Sequence, residues 1–185
     1  MKVIETGLPG CLVLEPKVFS DARGFFFESF NRDRLAAAGL SMQFVQGNVS
    51  RSSEGVLRGL HFQNPKAQGK LVSVLEGEAW DVAVDVRRGS PTFGQWEGVL
   101  LSAGNRRHFW IPEGFAHGFV VLSPQALFTY LCTDTYAPEA DAGIRWDDPE
   151  LAIDWPISRP LLSDKDAKLP LLADVPRERL PEFAG

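Results

Sequence analysis

The chain has 185 residues, 44% hydrophobic and 23% charged, the balance of a soluble globular protein long enough for one domain with a full core. A formal charge of −5 argues against a nucleic-acid binder, which carries a basic face, yet leaves room for a small anion held by a few placed arginines. No stretch approaches the roughly 18 apolar residues of a membrane span, and MKVIETGLPG has no apolar signal core, so no membrane partner and a cytoplasmic location are expected.

CLVLEPKVF (11–19) reads as a strand that ends at the turn SDARG, and FFFESF (25–30) as the next. NRDRLAAAGL (31–40) is the one predicted helix: Asn31 caps it, Leu35 and Ala38 share a side, and Gly39 suits its C-terminal end. MQFVQGNVSRS (42–52) is a strand running to the turn SSEG, followed by VLRGLHFQ (56–63) and the polar loop NPKAQG. KLVSVLEGEAWDVAVDVRRG (70–89) reads as two strands joined tightly at Gly77. GQWEGVLLS turns at AGN into RRHFWIPEGFAHGFVVLS, and ALFTYLCTDTY is the last long strand before a tail punctuated by Pro, Asp and Trp. About ten short strands and one short N-terminal helix predict an all-β fold, a double-sheet jelly roll or barrel. Residues 1–185 read as a single domain, with the irregular tail from about 150 packed on the barrel.

The chemistry-bearing motifs are few. Neither a glycine-rich phosphate loop nor a G-x-S-x-G elbow occurs. Cys11 and Cys132 form no disulfide or zinc pattern. PEGFAH (112–117) fits the P-x-G-x-x-H turn of metal-holding cupins, but their H-x-H pair is missing. The only histidines are His61, His108 and His117, short of an ordinary three-histidine site; two of them with a carboxylate remain arithmetically possible, so a metal is disfavoured by count.

RGLHFQ (58–63) raises the sharper question, because it sets a titratable group among apolar neighbours. Alternation puts Gly59, His61 and Gln63 on one face and Arg58, Leu60 and Phe62 on the other. Gln46 and Asn48 share a face in the preceding strand. These faces are either solvated or line a wet interior; His61 is either a satisfied structural histidine or part of a reaction chamber.

RGFFFESF, QGNVSRS, GVLRGLHFQ, GKLVSVLEGEAWDVAVDVRRGSPTFGQW, IPEGFAHGF, TYLCTDTYAPEADAGIRWDDP and LLSDKD occur in this order, spanning about residues 3–170. Together they resemble the dTDP-4-dehydrorhamnose 3,5-epimerases of dTDP-L-rhamnose synthesis. The resemblance implies a cupin-like jelly roll, a homodimer, a dTDP-sugar substrate, and epimerisation without cofactor or metal. A 4-ketone acidifies the protons on C3 and C5, so the reaction needs a base, a stabiliser for the enolate and an acid on the opposite face. The resemblance makes His61 the base, oriented by Asp166 (Asp81 and Asp85 are sequence competitors). Lys70 is then the oxyanion stabiliser and Tyr130 the acid. His117 contacts the sugar or is a turn histidine; His108 matches no site and is read as structural. Arg23, Arg58 and Lys165 fall at diphosphate-binding positions, and Glu28, Gln46 and Asn48 at nucleotide- and sugar-binding ones. Phe26 and Tyr136 are the stacking candidates. Arg58 and His61 reach one ligand only if a bulge or strand start near Gly59 realigns them. Asp141 stands where the family usually has Glu, and Phe62 where many members have Tyr.

Three other readings share parts of this pattern: an epimerase of one carbon only, a non-catalytic sugar-nucleotide binder, and a metal-dependent cupin enzyme. The first uses the same residues. The second needs no acid–base pair, and the third is disfavoured by histidine count.

Overall fold

The β-branched and aromatic runs of the sequence become thirteen strands in the computed structural model, which describes residues 1–184. One sheet contains, edge to edge, β1 (Lys2–Glu5), β2 (Leu12–Glu15), β10 (His108–Ile111), β7 (Lys70–Glu76), β12 (Gln125–Cys132) and β5 (Gln46–Ser53). The second contains β13 (Asp141–Gly143), β6 (Leu57–Gln63), β11 (Phe115–Val121), β8 (Glu78–Asp85) and β9 (Trp96–Ser102). β3 (Val18–Asp21) and β4 (Gly24–Phe27) form a separate hairpin. This is the expected all-β, cupin-like double-sheet jelly roll.

The inner faces supply the main core. Val72, Phe109, Ile111 and Phe128 of the larger sheet meet Ala83, Leu101, Phe115 and Phe119 of the smaller one; Phe119 and Phe128 stack with centroids 3.9 Å apart. A second cluster lies on the outer face of the smaller sheet. There Leu60, Val82, Val84 and Val120 are covered by Ile144, Trp155, Leu172, Val175 and Leu180 of the tail. Covered on both faces, β11 is buried at every residue, which explains why it is apolar except at His117. The tail packs on the barrel through short 3₁₀ turns.

Helix α1 (Arg32–Ala37) begins as expected, the Asn31 side chain accepting from the Arg34 N–H. Leu35 closes over Leu14, Leu71 and Trp110 on the outer face of the larger sheet.

Several expected boundaries shift. Pro16 ends β2, so 11–19 is two strands in different sheets rather than one. FFFESF stays extended only to Phe27, and β5 starts at Gln46 rather than Met42. Gly77 joins β7 to β8 but makes no hairpin: the two strands belong to opposite sheets. The turn needs glycine, with φ +76 and a Cβ that would fall 2.1 Å from the Gln125 carbonyl oxygen. Pro112–Gly114 makes a similar crossing from β10 to β11.

Candidate active site

His61 lies on β6, and Asp166 opens a 3₁₀ turn in the tail, 105 positions later. Its Oδ1 is 2.6 Å from His61 Nε2. The Asp166 N–H donates to Ser163 Oγ at 3.0 Å, fixing the turn. Burial pushes the Asp166 carboxyl up, but the bonds from His61, Ser163 and the Gly59 N–H outweigh it and hold the group below the usual carboxylate range. It is therefore an anion at neutral pH, suited to hold an imidazole in one tautomer.

Arg58 joins His61 in the same cavity, against strict alternation. The pairing of β6 with β11 explains it. His61 sits opposite His117 and Arg58 opposite Phe119, so β6 spends one residue more than its partner. The bulge falls at Gly59, which has φ +118 and where a Cβ would lie 2.6 Å from Gly118 Cα. The Arg58 guanidinium rests on Ser52 Oγ at 3.1–3.2 Å.

His117 is a strand residue, not a turn histidine. Buried on β11, it places Nε2 2.9 Å from Oδ2 of Asp81 on the neighbouring β8. Asp81, a competitor for His61 in the sequence, is thus engaged elsewhere. Burial lowers the proton affinity of His117 and raises that of Asp81, each opposed by the other's proximity. The third aspartate, Asp85, is taken by Arg87, Ser90 and Thr92, which close the turn after β8.

Lys70 and Tyr130 come from the opposite sheet. Lys70 begins β7 and is 7% exposed; its burial pushes the ammonium's pKa down. Tyr130 on β12 has its phenol pushed up by burial, and its ring meets that of His117 edge-on at 6.4 Å. Two adjoining cavities, about 360 and 300 Å³, share His61, Lys70, Tyr130 and Lys165 as walls. The deeper one adds Arg58, His117 and Asp166. The outer one adds Gln46, Asn48, Tyr136 and Asp141. Asp141 pairs with Lys165 and approaches the Tyr136 hydroxyl at 3.4 Å, so the shorter acid still reaches its neighbours.

Arg23, Phe26 and Glu28 stand apart. Arg23 and Phe26 belong to the β3–β4 hairpin, where Phe26 is 70% exposed and Arg23 is bonded to Asp21. Glu28 accepts from Asn31 and pairs with Arg34 at the start of α1. Neither of the two cavities includes any of the three; Arg23 and Phe26 line a separate pocket on the hairpin itself.

The sequence reading named Gln46 but missed Gln63 and Gln68, which set the outer wall with it. Gln63 Oε1 accepts from the Ala137 N–H at 2.9 Å and Gln46 Oε1 from the Tyr136 N–H at 2.8 Å. Gln63 had a signal, since it alternates onto the face of His61. Gln68, which donates to the Asp134 carbonyl, sits in a loop and had none. No cluster of three or more metal-ligating side chains occurs among the described residues.

A histidine–carboxylate pair sharing a cavity with a lysine and a phenol inside a jelly roll is the equipment of an isomerase that moves protons on a small ligand. Comparison with known proteins agrees. A family profile described as dTDP-4-dehydrorhamnose 3,5-epimerase matches residues 5–174. The dTDP-4-dehydrorhamnose 3,5-epimerase of Pseudomonas aeruginosa is 57% identical over 177 residues, covering 95% of this chain and 98% of that one. The Legionella pneumophila dTDP-6-deoxy-D-glucose-3,5-epimerase, solved with dTDP-4-keto-L-rhamnose, superposes with a TM-score of 0.97 at 54% identity, covering 100% of this chain and 99% of that one. A 3'-monoepimerase from Streptomyces bikiniensis, in complex with dTDP-quinovose, superposes at 0.89 with 37% identity, covering 96% and 91%. The chain belongs to the dTDP-4-dehydrorhamnose 3,5-epimerase family.

Proposed function

We propose that this single-domain enzyme inverts C3 and C5 of dTDP-4-dehydro-6-deoxy-D-glucose to give dTDP-4-dehydro-L-rhamnose, using its own side chains and no cofactor. The observation that carries the reading is the His61–Asp166 pair facing Lys70 and Tyr130 across one cavity. With Nε2–H donated to Asp166, the lone pair of His61 Nδ1 is free to take the proton beside the ketone. Charge moves onto O4 as the C–H bond breaks, and the Lys70 ammonium offsets it. Tyr130 then returns a proton to the same carbon from the other face. His61 is left protonated and Tyr130 deprotonated, and exchange with solvent resets both before the second carbon reacts. His117, held by Asp81, is a sugar contact beside His61.

Arg58 and Lys165 suit the diphosphate, Gln46 and Asn48 the sugar and base, and Tyr136 one face of thymine. Arg23, Phe26 and Glu28 fit the same ligand only if a second copy supplies them. A homodimer accounts for a hairpin that exposes Phe19, Phe25 and Phe26 and for a larger sheet that exposes Val49 and Leu75. Light scattering of the purified protein tests the dimer, and a monomeric mass removes it. No helix is long and apolar enough to cross a membrane, and a cytoplasmic site of action is part of this reading.

The decisive experiment is NMR of dTDP-4-dehydro-6-deoxy-D-glucose with the enzyme in D₂O. Deuterium at both C3 and C5 is expected. Deuterium at one carbon would favour monoepimerisation, a reading kept in view by the likeness to the S. bikiniensis enzyme. No deuterium at either carbon would refute both.

A further inference from the structure

We propose that Arg179, in the C-terminal strap, is a positioning residue for substrate binding, setting the place of Tyr136 and Asp141 without touching the cavity. Its Nη1 donates to the Glu139 carbonyl at 2.8 Å and its Nη2 to the Asp141 carbonyl at 2.6 Å. One planar cation thus bonds two backbone oxygens two residues apart. Such bonds are charge-assisted, and a lysine cannot reproduce the fork.

The segment it holds is irregular from Thr133 to Ala140, and Tyr136 is 53% exposed. Gln46, Gln63 and Gln68 fasten its first half, through the backbone of residues 134–137. Arg179 fastens the second half, where the chain enters β13 and the Asp141 side chain turns toward Lys165 and Tyr136.

The strap is itself anchored, so Arg179 is held from behind. The Arg88 N–H donates to the Pro181 carbonyl at 2.8 Å, and the Phe183 N–H donates to the Arg88 carbonyl at 3.0 Å. The Arg87 guanidinium lies over the Phe115 ring at 4.3 Å and the Phe183 ring at 5.0 Å. Leu180, next to Arg179, is buried in the tail cluster. The strap therefore ties the outer wall of the cavity to the end of β8.

This inference rests on the cavity being the dTDP-sugar site. The test uses the full chain with Arg179→Ala and Arg179→Lys, comparing dTDP affinity by calorimetry, kcat and KM, and amide exchange by mass spectrometry. For Arg179→Ala, dTDP affinity falls about tenfold and KM rises to match, with kcat within about twofold, because binding geometry and not the chemical groups has changed. Exchange accelerates over 134–141 and stays slow in β11, and Arg179→Lys gives intermediate values. Unchanged affinity and KM overturn the proposal. So does a loss confined to kcat, which marks a role in the chemical step, or faster exchange that extends through β11, which marks a purely structural arginine. If the unsubstituted protein does not bind dTDP, the reading of the cavity falls and takes the inference with it.

Discussion

Tyr130 stands on the six-stranded sheet and His61 on the five-stranded one, and both side chains line the same cavity. In the proposed reaction, a ligand lying between the sheets would meet His61 on one face and the Tyr130 phenol on the other. That is the arrangement inversion requires, since a proton removed and returned on one face changes nothing.

Tyr130→Phe separates the two half-steps. His61 still forms the enolate and Lys70 still stabilises it, so deuterium continues to enter the substrate. The far-face donor is gone, and His61 returns a proton to the side it came from. Net inversion falls by about 10²–10⁴-fold, the usual contribution of a general acid, while exchange stays measurable. NMR in D₂O reads both, and inversion of both carbons at the original rate would assign the acid elsewhere.

His61→Ala removes exchange and inversion together and leaves dTDP binding intact by calorimetry. Asp166→Asn gives a smaller loss, because the amide still contacts the imidazole but no longer imposes one tautomer. Continued deuterium wash-in by His61→Ala would mean that another group takes the proton. An unchanged rate for Asp166→Asn would move the orienting role away from this carboxylate.

Alternation and turn residues announced the all-β fold and the helix at Asn31, because those signals are local. Sheet membership was not legible. Gly77 and Pro112–Gly114 read as tight joints, and only the pairing of distant strands shows that each carries the chain across the sandwich. The partner of His61 was open among three aspartates by pattern alone, and the resemblance chose Asp166. The other two proved committed, Asp81 to His117 and Asp85 to Arg87. The side of Arg58 depended on a one-residue bulge at Gly59, which a period of two cannot encode. Arg23, Phe26 and Glu28 mark the remaining gap, since all three lie outside both cavities.

His108 makes the fold acid-sensitive. It is 2% exposed, its Nε2 has no hydrogen-bond partner, and burial pushes its pKa down to about 4. Between pH 6.5, the ordinary imidazole value, and pH 4 the unfolded chain binds a proton that the folded one refuses. Stability from this group is full above pH 6.5, declines as pH falls toward 4, and is level below; the total is about 3 kcal/mol. Urea unfolding of the native protein and His108→Leu at pH 7.5, 6, 5 and 4 checks it. The native protein should lose ground against the variant only below pH 6.5. A difference independent of pH would show that His108 titrates alike in the folded and unfolded chain.

Burial moves Lys70 and Tyr130 in opposite directions, and the alkaline behaviour of the enzyme tests which of them titrates first. A free lysine titrates near 10.4 and a free phenol near 10, so in water the phenol would ionise first. Here burial pushes the ammonium down and the phenol up, because each is driven toward its neutral form. Proton removal by His61 needs the ammonium to offset charge on O4. The expected outcome is an alkaline limb of kcat that belongs to Lys70 and lies below the ordinary lysine range, as its lowered pKa favours. Lys70→Met lowers deuterium exchange by about 10²–10³-fold, in line with loss of one oxyanion donor, and abolishes the limb. Tyr130→Phe keeps the limb in its residual exchange. Rates of exchange from pH 7 to 10.5 for the three proteins decide the matter. If the limb survives in Lys70→Met and vanishes in Tyr130→Phe, the phenol titrates first, and Lys70 is not the group that stabilises the enolate.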